Sequence, residues 1–160
     1  MTAVDWPAAH VPQGADLHVV NDGHSSAPPE LVWAWLVRPD RWSEHYANAR
    51  IVRHRSGAWP ELRVGSTFTW VTFGAPVSTV VSECEPYSRL TWTGSGLGSV
   101  GCHGWVLAHG DQGGTLIHTA ETQRGRAIRI LRPVLKPAMR SLHQRWIEGL
   151  ARAAESGRLP

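Results

Sequence analysis

Cysteine is nearly absent: Cys84 and Cys102 are the only two in 160 residues. That is too few, and too widely spaced, for a disulfide framework or a cysteine-rich zinc site. Lysine is rarer still, Lys136 standing alone against 15 arginines. No apolar run approaches the ~20 residues that span a bilayer as a helix; the longest, through Val32–Val37, falls far short. The N-terminal stretch carries Asp5, Pro7, Pro12 and Asp16 without a basic segment, which argues against a secretory leader and makes the cytoplasm the expected location. GxxxxGK[ST], HExxH and CxxC patterns are missing, so phosphate-loop, zincin and thiol-redox chemistry have no motif to stand on. Phenylalanine and tyrosine are scarce, two of each, and the aromatic content lies instead in nine tryptophans.

An apolar fraction of 42% and a charged fraction of 18% describe an ordinary globule with one sizeable core. Positive charge is concentrated at one end. From Arg124 to Arg158 there are nine basic residues against Glu148 and Glu155, a balance of +7, so with +3 overall the rest of the chain carries −4. Arg129, Arg132, Lys136 and Arg140 fall at helical spacing. Such a stripe is either the solvated face of a packed helix or an element for a membrane surface or partner. Nucleic acid is not expected, because no aromatic side chain alternates with these arginines.

Residues 1–14 read as a loose lead-in, 15–156 as a single domain and 157–160 as a tail. Ala15–Asn21 alternates apolar and polar side chains, as a half-buried strand does. Ser25-Ser26-Ala27-Pro28-Pro29 is a helix-start signal, followed by short helices over Glu30–Val37 and Pro39–Tyr46. Six further strands are expected near 47–55, 63–73, 76–85, 88–94, 101–109 and 114–123. A C-terminal apolar stripe runs through Ile128, Leu131, Leu135, Met139, Leu142, Trp146, Leu150 and Ala153. Pro133 and Pro137 interrupt it, which predicts a kink or a late start near Pro137 and a secure helix from Ala138 to Glu155.

Hairpin turns decide which side chains share a face. A type II′ turn at Gly74-Ala75 pairs Trp70 with Thr79 and Phe68 with Val81. A five-residue loop over Gly110–Gly114 pairs Leu107 with Ile117, Trp105 with Thr119, and His103 with Glu121. Trp70, Trp92 and Trp105 then project indoles from neighbouring strands onto one face. The opposite face at Cys102, Val106, Leu116 and Ala120 is not clearly polar, and a one-residue slip would dissolve the His103–Glu121 pair.

This order of elements resembles the helix-grip fold of the START-like superfamily, which includes polyketide cyclase/dehydrase-like and lipid-transfer proteins. The stretches that carry the resemblance are Ala27–Trp33, Pro39–Trp42, Gly65–Trp70, Glu83–Pro86, Leu90–Trp92, His103–Trp105, Gly114-Thr115, Ala120–Thr122 and Gly125. It implies an α+β domain: a seven-stranded antiparallel sheet curved around a long C-terminal helix, with two short helices between strands 1 and 2. It also implies an internal cavity for a hydrophobic small molecule. The sheet would contribute Phe68, Trp70, Thr79, Val81, Trp92, Trp105, Ile117 and Thr119 to that cavity, and the helix Met139, Leu142 and Trp146.

His103 and Glu121 are the candidate catalytic pair, since a carboxylate can orient an imidazole for general acid/base work near neutral pH. Two other roles remain open for them: a buried polar pair satisfied against nearby indole N–H groups, or an anchor for a ligand. The function classes are therefore a cyclase or dehydratase acting on an aromatic or polyketide-like molecule, or a non-catalytic carrier of an apolar one. No cofactor is expected, and no metal, because the nine histidines show no helical ligand spacing. Gly96–Gly101 spells GxGxxG but leads into a strand, so it reads as a rim loop and not a dinucleotide site. A monomer or homodimer is expected.

Overall fold

The computed structural model describes residues 3–160. In chain order the elements are β1 (Leu17–Ser25), α1 (Pro29–Leu36), a 3₁₀ turn (Pro39–Glu44), β2 (Arg50–Ser56), β3 (Thr67–Thr72), β4 (Ala75–Glu85), β5 (Arg89–Gly96), β6 (Ser99–His109), β7 (Thr115–Arg124) and α2 (Arg126–Glu155). The seven strands form one antiparallel sheet in the order β1-β7-β6-β5-β4-β3-β2. α2 lies against its inner face, packing on β1, β7 and α1. This is the expected helix-grip architecture. Among the described residues no helix is long and apolar enough to cross a membrane.

Local chemistry accounts for most boundaries. α1 begins at Pro29, where a missing N–H is harmless. The expected serine cap is not used. Ser25 ends β1, and its hydroxyl, with the Ser26 N–H, instead binds the Glu155 carboxylate at 3.0 and 2.8 Å, tying β1 to the end of α2. The β3–β4 turn is also corrected. Phe73 (φ 52°) and Gly74 (φ 73°) form it, both left-handed as in a type I′ turn, so Trp70 opposes Val77 and Phe68 opposes Thr79. The register differs from expectation by two residues, an even number, so the same side chains still face inward. The β6–β7 register is as expected, with His103 opposite Glu121, Trp105 opposite Thr119 and Leu107 opposite Ile117.

α2 departs most from expectation. It runs unbroken for 30 residues and contains both prolines. Pro133 and Pro137 lie on an exposed stretch, where water reaches the carbonyls that their missing N–H groups leave free. The apolar stripe is correspondingly shorter than expected: Leu131 is exposed, and continuous burial begins at Met139.

The inner core is tryptophan-rich. Trp42 sits at its centre, its ring 5.1–5.6 Å from those of Phe68, Trp70, Trp92 and Trp146, and its N–H donates to Leu36 O at 2.9 Å. The outer face of the sheet is not bare. The stretch expected to be a loose lead-in lies across it, Val4 buried with Val106 and Ala120, and Trp6 beside them. That covering is why the outer face lacks a polar pattern.

Candidate active site

β6 and β7 are neighbours, and the Gly110–Gly114 loop sets their register, so His103 and Glu121 stand side by side on the inner face. α2 adds a third group. His143 lies four residues beyond Met139 and three before Trp146, on the helix face turned to the sheet, and is fully buried. One carboxylate oxygen of Glu121, Oε2, is 3.3 Å from His103 Nδ1 and 3.1 Å from His143 Nε2. The other accepts from Gln123 Nε2 at 2.6 Å. His103 Nε2 meets Thr119 Oγ1 at 2.7 Å, and that hydroxyl donates to Gly104 O at 3.0 Å. The two imidazoles stack with centroids 4.7 Å apart, and Trp105 stacks on His103 at 5.3 Å.

Burial pushes His103 down to about 3, against the opposing pull of the Glu121 charge. Burial alone would raise Glu121. The hydrogen bonds from His143 and Gln123 and the nearby imidazoles outweigh it and hold the carboxyl near 2. Around neutral pH the cluster is therefore an ionised carboxylate beside a neutral His103 imidazole. His143 Nδ1 is buried without a partner among the described residues.

His103, Glu121, Gln123 and His143 line a cavity of about 60 Å³ together with Tyr46, Trp70, Phe73, Val77, Trp92 and Trp146. It is far smaller than the hollow the sequence predicts, because the indoles pack on one another instead of leaving a space between them. Of the expected lining residues, Trp70, Trp92 and Trp146 reach the cavity together with His103 and Glu121. Phe68, Val81, Ile117 and Trp105 are solid core. Met139 packs with Leu17 and Val19, and Leu142 is half-buried against the core, so neither lines it. Thr79 and Thr119 position other residues, Thr79 accepting from Trp70 Nε1 at 3.1 Å and Thr119 holding His103. The indole N–H groups of Trp105 and Trp146 find no partner among the described residues, so the polar pair does not serve to satisfy them. Gly96, Ser99 and Gly101 border the cavity, but as the ends of β5 and β6 joined by the tight Leu97-Gly98 turn and not as a loop.

His143, Gln123 and Phe73 are the site residues that sequence reasoning misses. His143 interrupts the apolar stripe of α2, and a histidine on a buried helix face is the one signal that points to it. Nor does any sequence spacing reveal that His103, Glu121 and His143 each place a ligand-type atom within 4.8 Å of the others.

A family model described as polyketide cyclase/dehydrase and lipid transport matches residues 16–155. The chain belongs to this family. Among solved structures it is similar to the hypothetical protein jhp0584 of Helicobacter pylori, at 26% identity and a TM-score of 0.89, covering 96% of this chain and 97% of that one. It also shares its fold with the Zhui aromatase/cyclase of a Streptomyces species, at 13% identity and a TM-score of 0.74, covering 87% of this chain and 93% of that one. No curated protein matches it in sequence. The family establishes a fold used for hydrophobic ligands.

Proposed function

We propose that this chain is an enzyme that moves protons on the end of a planar, carbonyl-bearing substrate, in a cyclisation or dehydration. One observation carries the proposal: a carboxylate is held between two imidazoles that line an aromatic-walled cavity. Glu121, ionised and partly desolvated, takes a proton from the carbon next to a carbonyl. His143, when its Nε2 bears the proton, returns one to the oxygen that becomes an enol or departs as water. Thr119 keeps the His103 ring in place while this happens.

Size narrows the substrate. A cavity of ~150 Å³ accepts benzene, and this one is about 60 Å³. Only the reacting edge of a substrate enters it, and the remainder stays outside, against the partly exposed Phe73 and Val77. The same figure weighs against a carrier, which has to enclose its cargo.

Exchange of α-hydrogens of butanone and cyclohexenone into heavy water, followed by NMR, tests the proposal, with quenching of tryptophan emission as the measure of binding. Glu121→Gln should slow exchange by about 10²–10⁴-fold with quenching retained. Exchange that is unchanged in this variant would remove Glu121 as the base and the proposal with it.

A further inference from the structure

We propose that His103 Nδ1, Glu121 Oε2 and His143 Nε2 form a site for one divalent first-row transition ion of the zinc or iron(II) class. Distance is the first argument. Bonds of about 2.0–2.1 Å at tetrahedral angles place ligand atoms about 3.3–3.4 Å apart. The carboxylate oxygen lies 3.3 Å from one ring nitrogen and 3.1 Å from the other, close to that spacing.

Proton accounting is the second. The single Thr119 hydroxyl proton goes to Gly104 O, so the hydrogen between Thr119 and His103 belongs to His103 Nε2. In that tautomer His103 Nδ1 turns its lone pair toward Glu121 Oε2 at 3.3 Å, a contact that a cation between the two atoms would satisfy. The outer partners already fit that role: Thr119 orients His103, and Gln123 holds the second oxygen of Glu121.

Two imidazoles with one carboxylate favour transition ions over magnesium or calcium, which prefer all-oxygen sites. The cavity beside the three donors leaves an open position for water or a substrate oxygen. This inference rests on the proton-transfer assignment of the same side chains and extends it. With an ion bound, His103, Glu121 and His143 would all serve as its ligands, and the ion would supply Lewis acidity and a more acidic water at the open position.

The full chain, stripped with EDTA and dialysed, is titrated with zinc chloride by calorimetry and with cobalt(II) chloride by visible absorption and tryptophan emission. Saturable 1:1 binding is expected, with cobalt d–d bands and quenching of the indoles around His103. His143→Gln and Glu121→Gln should weaken binding at least 100-fold, and Thr119→Val about 10–100-fold. His109→Gln and His118→Gln should leave it unchanged. Absence of 1:1 binding to the wild-type chain overturns the inference whether or not any variant folds. So does binding that survives both ligand substitutions. Ketone exchange by a chain that binds no ion removes the metal site and spares the proton-transfer function; ion binding without exchange in either form does the reverse.

Discussion

His103 and Glu121 illustrate how far a single residue pair can be placed from sequence. Their cross-strand opposition follows from strand alternation and one loop length, because β pairing is local once the hairpin is fixed. His143 shares the same oxygen of Glu121 from 22 residues further on, and nothing local brings it there. His45, half-buried, is another histidine with a measurable consequence. Neither ring nitrogen has a hydrogen-bond partner among the described residues, and its ring meets Trp35 edge-on at 5.8 Å. Burial, and then the charge of Arg152, push it from 6.5 down to about 4. The unfolded chain therefore takes up a proton below pH 6.5 that the folded chain refuses until about pH 4. Its effect on stability is absent above pH 6.5 and is a growing loss as pH falls toward 4. His45→Phe should recover about 1–2 kcal/mol of the stability lost between pH 7 and pH 5, read as a smaller difference between thermal melts at the two values.

At the scale of elements, α2 shows contact overriding propensity. Two internal prolines do not break it, because its first turns are exposed and its later turns are held by the sheet. Gly149 is the converse case. Alanine there should favour a helix by about 1 kcal/mol, yet a Cβ at this position would lie 2.0 Å from the backbone oxygen of His45. Backbone cannot swing aside as a side-chain tip can. Gly149→Ala should therefore destabilise by about 1–3 kcal/mol, measured by denaturant unfolding; a gain in stability would show that α2 does not approach His45 so closely. The β3–β4 hairpin teaches a milder lesson. Moving its turn by one residue changes every pair but keeps Phe68 and Trp70 inward, so the face was legible where the partners were not.

For the whole molecule, the sheet is sandwiched between α2 and the N-terminal stretch. Val4 occupies the space that a Cβ on Gly104 would take, its nearest methyl 2.3 Å from that position. Deleting residues 1–10 should cost about 1.5–3 kcal/mol through Val4 alone, seen as a lower melting temperature. Because the cavity lies on the opposite face, quenching by ketones or cobalt should persist in the truncated chain. Loss of both would mean that the outer layer also supports the site.

Amino-acid order alone determined the element sequence, the inward faces of the strands and the pairing of His103 with Glu121. Each of these rests on periodicity or on a turn, and both act over short stretches of chain. Three things waited on tertiary structure: the arrival of His143, the cover provided by Val4, and the size of the cavity. The first two join segments far apart in the chain. The third depends on how bulky rings interlock, since indoles that face one another can enclose a space or fill it, and only their mutual packing decides which.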